Sequence, residues 1–179
     1  MPAAPRAVLP SCARHNDARG ATMSVVLHPI SHTDLDALAA LHAACFPDDA
    51  WNSAALATVL AMPGTGGRVA RAPSGEILGL LIDQCIGEDA EVLTLGVAPE
   101  RRRQGIAHAL LSDLVTRARA AGAARIVLEV AADNAPAHAL YRAHGFVRQG
   151  IRRHYYRRAQ GPPVDAWRLG REIETRGSS

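Results

Sequence analysis

Apolar and polar residues alternate through Leu93, Leu95 and Val97, and apolar ones then recur at helical spacing through Ile106, Leu110, Leu111, Leu114 and Val115 to Ala118. Ala98-Pro99 ends the first pattern, so the switch predicts a strand over 91–97, a turn and a long helix. Upstream, residues 25–30 predict a first strand. Ser31 to Thr33 then offer caps for a helix carrying Leu35, Leu38, Leu41, Ala44 and Cys45. Phe46-Pro-Asp-Asp-Ala-Trp51-Asn-Ser breaks that helix and caps another over 54–61. Residues 62–67 read as a loop, 68–72 and 76–84 as a hairpin turning at Pro73-Ser-Gly75, and 87–90 as the next turn. Downstream come a strand at 126–130, a helix from Asn134 to Tyr141, a strand after Gly145-Phe146 and a last strand at 164–169. This order predicts an α/β fold: a mixed sheet of six or seven strands, about four helices on its two faces, and no internal repeat.

With 179 residues, 48% of them hydrophobic, the chain is long enough for one domain with its own core. No apolar run approaches the roughly 18 residues that span a bilayer, so no membrane partner is expected. Cys12, Cys45 and Cys85 are odd in number and widely spaced. That pattern points to reduced thiols in a cytoplasm, and away from a disulfide framework or a metal site. The net charge of +3 conceals an asymmetry: from Arg101 onward 15 arginines face 6 acidic residues, and in the first hundred residues 5 face 11. There is no lysine. A basic half suits nucleic acid, but few aromatic residues interleave it and no helix-turn-helix or RNA-binding signature is present. The polyphosphate of a nucleotide cofactor ranks first, and no DNA or RNA partner is expected. Residues 1–22 carry Pro, Ala, Arg and Gly without periodicity and read as a disordered leader. Ala7-Val-Leu-Pro10 is too short for a secretory signal. A domain is expected over 23–171, followed by a flexible tail over 172–179.

The turn between strand and long helix is basic and opens a helix. Amide N–H groups without intrahelical partners, the positive end of the macrodipole and guanidinium groups converge there, which suits a diphosphate. Gly105 and Ala107 are the positions where a larger side chain would hold phosphates away from the backbone. The spacing Arg102-x-x-Gly105-x-Ala107 resembles the coenzyme A turn of the GNAT family of N-acetyltransferases. Ile126-Val-Leu-Glu-Val130, Asn134-Ala-Pro-Ala-His-Ala-Leu-Tyr141 and Gly145-Phe146 follow in that family's order and at its distances. Ile151-Arg-Arg-His-Tyr-Tyr156 with Asp165-Ala166 is similar to the RimI type, bacterial enzymes that acetylate the N-terminal alanine of small-subunit ribosomal protein eighteen. The likeness spans about residues 25–170 and is strongest over 92–156. It implies the GNAT acyl-CoA N-acyltransferase fold, acetyl-CoA as cosubstrate and a protein N-terminus, that of a ribosomal protein, as acceptor. It also implies direct transfer in a ternary complex. The same chemistry on a polyamine, an amino acid or an aminoglycoside stays open, because the first half is acidic. So does a non-catalytic acyl-CoA-binding module.

Acetyl transfer needs a docked carrier, a neutral amine, a stabilised oxyanion and a proton for the departing thiolate. The resemblance implies that backbone at Leu95, Gly96 and Val97 holds the acetyl and pantetheine end, with the Val97 amide on the oxyanion. It further implies that Arg102, Arg103, Gln104, Gly105, Ile106, Ala107 and His108 hold the pyrophosphate, and that Asn134 hydrogen-bonds coenzyme A. Gly96 is expected at a bulge where the strand leaves its neighbour, or else merely relieves crowding. Glu129 lies between apolar neighbours, on a solvated face or in a site; the resemblance makes it the general base for the α-ammonium, with partial burial raising its basicity. Tyr141, seven residues after Asn134, shares its helix face. A phenol is a competent donor at neutral pH, and the resemblance makes Tyr141 the general acid; a core tyrosine and a plain Asn N-cap are the alternatives. Phe46 and Trp51 either line the acceptor groove or pack their loop onto the core. Arg152, Arg153, Tyr155 and Tyr156 support the peptide groove. His138 and His144 match no family role, and neither Cys45 nor Cys85 has the His-Asp partners a covalent acetyl carrier needs. Met23, just ahead of the first strand, is expected to be the natural start. N-terminal sequencing of protein made from its own gene checks this, and a mature chain beginning at Met1 or Pro2 refutes it.

Overall fold

Helices bury both faces of one sheet in the computed structural model, which describes residues 25–158 and 161–174. The expected leader, Met23, Cys12 and residues 175–179 of the expected tail lie outside the described residues. The elements run β1 (Val26–Pro29), a 3-10 turn (His32–Asp34), α1 (Leu35–Cys45), α2 (Ser53–Leu60), β2 (Thr65–Arg71), β3 (Ile77–Ile86) and β4 (Asp89–Val97). A second 3-10 turn (Pro99–Arg101) leads to α3 (Ile106–Ala120), β5 (Arg125–Ala131), α4 (Ala135–Ala143), β6 (Val147–Tyr156) and β7 (Val164–Glu172). Strand order is β1-β2-β3-β4-β5-β7-β6. Every pair is antiparallel except β4 with β5, which the α3 crossover makes parallel. The mixed sheet with four helices is the fold expected from the sequence. Among the described residues no helix is long and apolar enough to cross a membrane.

The caps sit where the sequence placed them. Ser31 accepts from the Thr33 amide while the Asp34 carboxylate accepts from the Ser31 amide, and Asn52 Oδ1 accepts from the Ala55 amide at 2.9 Å. One face of the sheet is covered by α3 and α4, where Ile106, Leu110, Leu111, Leu114 and Tyr141 pack on Leu81, Ile126 and Leu128. On the other face Leu38 and Leu41 of α1 and Leu56 of α2 bury Val69, Leu80 and Ile82.

The parallel pair governs the site. Its ladder ends at Val92 opposite Leu128, although β4 runs on to Val97 and β5 to Ala131. Just there the β3–β4 register skips a residue, with Ile82 opposite Thr94 and Asp83 opposite Val92, so Leu93 is a bulge. Sequence reasoning placed the bulge at Gly96; it falls three residues earlier, and Gly96 pairs regularly with Leu80.

Two other boundaries differ from expectation. Residues 65–67, read as loop because of their glycines, are the start of β2, with Gly66 opposite Asp83 and Gly67 opposite Ile82. A Cβ on Gly67 would stand 2.5 Å from Ile30 Cδ1 and 2.7 Å from the Leu81 carbonyl oxygen, so this glycine marks a close approach inside a strand. At the other end β7 continues past 169 to Glu172, because Arg171 and Glu172 pair with β5 and Ile173 is buried beyond them.

Between β3 and α3 lies an ion cluster. Arg117 bonds both oxygens of buried Asp83 at 2.8 and 3.1 Å and Asp113 at 2.7 Å, with Arg68 behind Asp113 at 3.4 Å. Removing the shared cation strands a buried carboxylate. Arg117→Ala is therefore expected to cost about 3–5 kcal/mol. The urea midpoint should fall with little change in slope; an unchanged midpoint contradicts this.

Candidate active site

Past Val92 the edge of β4 that faces β5 has no ladder partner. The Ala98 amide donates to the Leu78 carbonyl at 2.9 Å, which makes Val97 and Gly79 a non-hydrogen-bonded pair. The N–H and C=O of Val97 therefore point away from β3, toward the gap. By alternation those of Leu95 do the same, while Gly96 bonds to β3. Val97 O is held from the helix side by the Cys45 thiol and by Arg102 Nε, each donating at 3.3 Å. Its N–H stays directed into the gap.

At the wide end of the gap the chain turns into α3. Arg103 has φ 63° and Gly105 φ 79°, two left-handed residues on either side of Gln104. Such a turn gathers amides into a concave nest, and for Arg103 it is an uncommon conformation. The first helical bond of α3 runs from the Ala109 amide to the Gly105 carbonyl at 3.0 Å. The amides of Ile106, Ala107 and His108 therefore precede the ladder and point out of the helix start. Arg102, Arg103 and Gln104 are exposed around them. Ile106 instead buries its side chain, contributing backbone alone. These groups fit a diphosphate. His108 Nδ1 lies 2.9 Å from His144 Nε2, which ties the first turn of α3 to the end of α4.

Asn134 follows β5 and caps α4, its Oδ1 accepting from the Ala137 amide at 3.2 Å. The cap uses the oxygen and leaves the amide nitrogen as an exposed donor.

Glu129 and Tyr141 stand on opposite faces of the parted stretch. Ile126, Leu128 and Val130 point into the core under α3, so Glu129 points to the other face, where it is half-buried. Arg152 Nη1 donates to both its oxygens, at 2.9 and 3.0 Å, and Arg152 Cζ lies 4.0 Å from the centre of the Tyr155 ring. Tyr141 is 7% exposed and meets Phe146 edge-on. Burial, and behind it the nearby Tyr156 phenol, push its pKa far above the ordinary value, so it stays protonated. Tyr156 bridges the two. Its hydroxyl donates to the Glu129 carbonyl at 3.3 Å, and burial pushes its pKa up to about 12. Glu129 also borders a cavity of about 200 Å³ lined by Glu91, Val127, Leu128 and Arg168.

Among the remaining candidates, Arg153 is exposed on β6 and His138 turns its ring to the Ala131 and Ala132 carbonyls and onto Trp167. Burial raises the pKa of the Cys45 thiol more than Arg102 lowers it, and burial raises that of Cys85 as well. Both stay poor nucleophiles. Phe46 and Trp51 each pack against one buried residue that sequence reasoning passed over, His42. Its position four residues after Leu38, on the apolar side of α1, was the signal available. Among the described residues no three His, Cys, Asp or Glu side chains are grouped to hold a metal ion.

The family model described as the Acetyltransferase (GNAT) family matches residues 35–146. An Escherichia coli (strain K12) protein named [ribosomal protein bS18]-alanine N-acetyltransferase is 38% identical over 88 residues, 49% of this chain and 60% of its own length. The chain thus spans less than two thirds of the first curated relatives it matches. Mycobacterium tuberculosis N-alpha-acetyltransferase RimI is 37% identical over 141 residues, 76% of this chain and 87% of that one. Among solved structures, the ribosomal-protein-S18-alanine N-acetyltransferase from Escherichia coli superposes with TM-score 0.78 at 28% identity, covering 86% of this chain and 96% of that one.

The turn before α3 should be sensitive at one atom. Gly105→Ala places a Cβ in the left-handed region and is expected to cost about 1–2 kcal/mol. Thermal unfolding measures it, and a variant as stable as its parent contradicts the role given to this φ.

Proposed function

The chain belongs to the GNAT family of acetyltransferases, and from that membership we propose that it moves acetyl from acetyl-CoA to the N-terminal α-amino group of a protein. The acceptor proposed is the N-terminal alanine of ribosomal protein bS18, in the cytoplasm and in a single ternary complex. One observation carries the proposal: the unpaired edge of β4 lies between a phosphate-sized nest at α3 and a stretch of β5 flanked by a carboxylate and a buried phenol. The name of the Escherichia coli relative and that of the Escherichia coli structure support the choice of acceptor, and that of the Mycobacterium tuberculosis relative supports an α-amino group.

In this reading the nest formed by residues 102–108 and the Asn134 amide nitrogen hold the carrier. Leu95 and Val97 present backbone to the pantetheine arm and the thioester. Glu129 takes a proton from the α-ammonium, directly or through one water, and the freed amine attacks the acetyl carbon. The Val97 N–H, fixed in direction before substrate arrives, holds the oxyanion. Tyr141, kept protonated by burial, gives its proton to the departing thiolate and regains one from the nitrogen as the intermediate collapses to the amide. Arg152 holds Glu129 in the free protein, and an exposed, water-screened pair is readily exchanged for an incoming ammonium. A small polycation is the weaker alternative. In the cavity beside Glu129, Arg168 stands against Glu91, so the lining offers no surplus of acid beyond Glu129 itself for a second positive charge.

Glu129→Gln and Tyr141→Phe should each lower kcat by about 10²-fold or more. Acetyl-CoA affinity should be little changed in Tyr141→Phe. Full turnover in either variant removes that residue from the scheme. Mass spectrometry of Ala-initiated peptides, set against N-blocked lysine peptides and polyamines, tests the acceptor. Acetylation confined to the polyamines would replace the peptide reading.

A further inference from the structure

We propose that His42 is a positioning residue for the acceptor, fastening the loop between α1 and α2 to the parted stretch of β4 through a single imidazole. The identity of what is positioned rests on the acetyl-transfer reading above; the fastening itself rests on geometry. His42 is 3% exposed. Its Nδ1 accepts from the Trp51 amide at 3.1 Å, so the ring proton is on Nε2, which faces Thr94 Oγ1 at 3.3 Å. The ring also lies 4.9 Å from that of Trp51, nearly parallel to it, and 4.7 Å from that of Phe46.

These contacts lie where the sheet gives β4 least support. Thr94 follows the Leu93 bulge, beyond the last β5 pair. The end of α1 takes over there, with His42 at Thr94 and the Cys45 thiol at the Val97 carbonyl. Gly96 allows the approach, since a Cβ on it would stand 3.1 Å from Cys45 Sγ and 3.3 Å from Phe46 Cε2. The same ring anchors the far end of the loop at Trp51. That loop also carries Asp49, whose charge helps raise the pKa of the Tyr156 phenol, and Tyr156 in turn donates to the Glu129 carbonyl.

A neutral imidazole has one donor and one acceptor, and His42 uses both. Protonation would aim a second N–H at the Trp51 amide and break the anchor. Burial lowers the His42 pKa more than Asp49 raises it. The other groups in contact with the ring are uncharged: Thr94 on β4 and the rings of Phe46 and Trp51. The anchor is therefore complete at neutral pH and is lost as pH falls well below the ordinary histidine value of about 6.5.

Two variants divide the ring's duties. In His42→Asn the side-chain oxygen takes the place of Nδ1 and keeps an acceptor for Trp51. In His42→Gln the amide takes the place of Nε2 and leaves the Trp51 N–H bare. With an Ala-initiated peptide at about pH 8, His42→Gln should raise the peptide KM at least about fivefold and leave the acetyl-CoA KM within about twofold, while His42→Asn, which keeps the Trp51 anchor and loses only the Thr94 contact, raises the peptide KM by less and leaves the acetyl-CoA KM within about twofold. An unchanged peptide KM in His42→Gln, or a parallel rise of both KM values in both variants, overturns the proposal. A second readout needs neither turnover nor a folded Gln variant. In a Trp167→Phe background Trp51 is the remaining tryptophan, and its fluorescence should step as pH falls below the ordinary histidine range, a step absent when His42→Asn is added. A flat titration, or the same step in both proteins, overturns the fastening. If no amine is acetylated at all, the acetyl-transfer reading fails and the fluorescence alone decides the fastening.

Discussion

Everything at the site depends on two neighbouring strands ceasing to bond while both continue. A parallel pair normally satisfies its backbone groups with each other, and a strand that leaves its partner exposes donors and acceptors that water or a ligand must take up. β4 leaves β5 after Val92, at the one-residue bulge of Leu93. The bulge changes which face the side chains take: Val92 belongs to the core under α3, Leu93 to the core under α1, and Leu95 and Val97 return to the first. It also lets β4 keep its antiparallel partner β3 through residue 97, so the exposed edge is held rigid from one side.

Rigidity on the closed side comes from packing and from charge. Gly79 allows α3 to lie close on β3, since a Cβ there would be 3.0 Å from Ile106 Cγ2 and 3.3 Å from Leu110 Cδ1. That contact sets the height of the α3 N-terminus above the sheet, and with it the distance from the amide nest to the unpaired edge. The Asp83, Asp113, Arg117 and Arg68 cluster locks the same helix two turns further on. A buried cluster of this kind is weak evidence for net stability, but it penalises any slip of α3 that would separate the charges.

Much of this was legible in the sequence. The switch from period two to helical period located β4, the turn and α3, and the caps at Ser31, Asn52 and Asn134 are visible as residue types before apolar repeats. Gly105 announced a left-handed turn; Arg103, equally left-handed, did not, because nothing in an arginine signals positive φ. The loop expected over 62–67 failed for the opposite reason: Gly67 serves a close approach to Ile30 and Leu81 rather than a turn, and the two uses look alike in one dimension. The bulge was placed at Gly96 because glycine suggests irregularity. It occurs at Leu93, whose identity carries no such mark, since register is settled by pairing across strands. His42 was invisible as a joint because its partners, Trp51 and Thr94, are 9 and 52 residues away.

In the proposed chemistry, the separation of acid from base follows from which side of β5 each residue occupies. Two titratable groups can hold opposite protonation states at one pH when their surroundings differ. Tyr141 lies under α4 in the closed core, where a phenolate would be poorly solvated, so it holds its proton at neutral pH. Glu129 is one position out of phase with the core residues of β5, on the face that α1 and α2 leave uncovered, where Arg152 donates to both its oxygens. Shifting the register of β5 by a single residue would exchange these environments, placing the carboxylate in the core and an apolar side chain at the amine. The pairing of Glu129 with Arg168 and of Val130 with Trp167 on β7 prevents that shift. In the proposed scheme the sheet register thus decides which side chains of β5 meet the amine and which stay in the core.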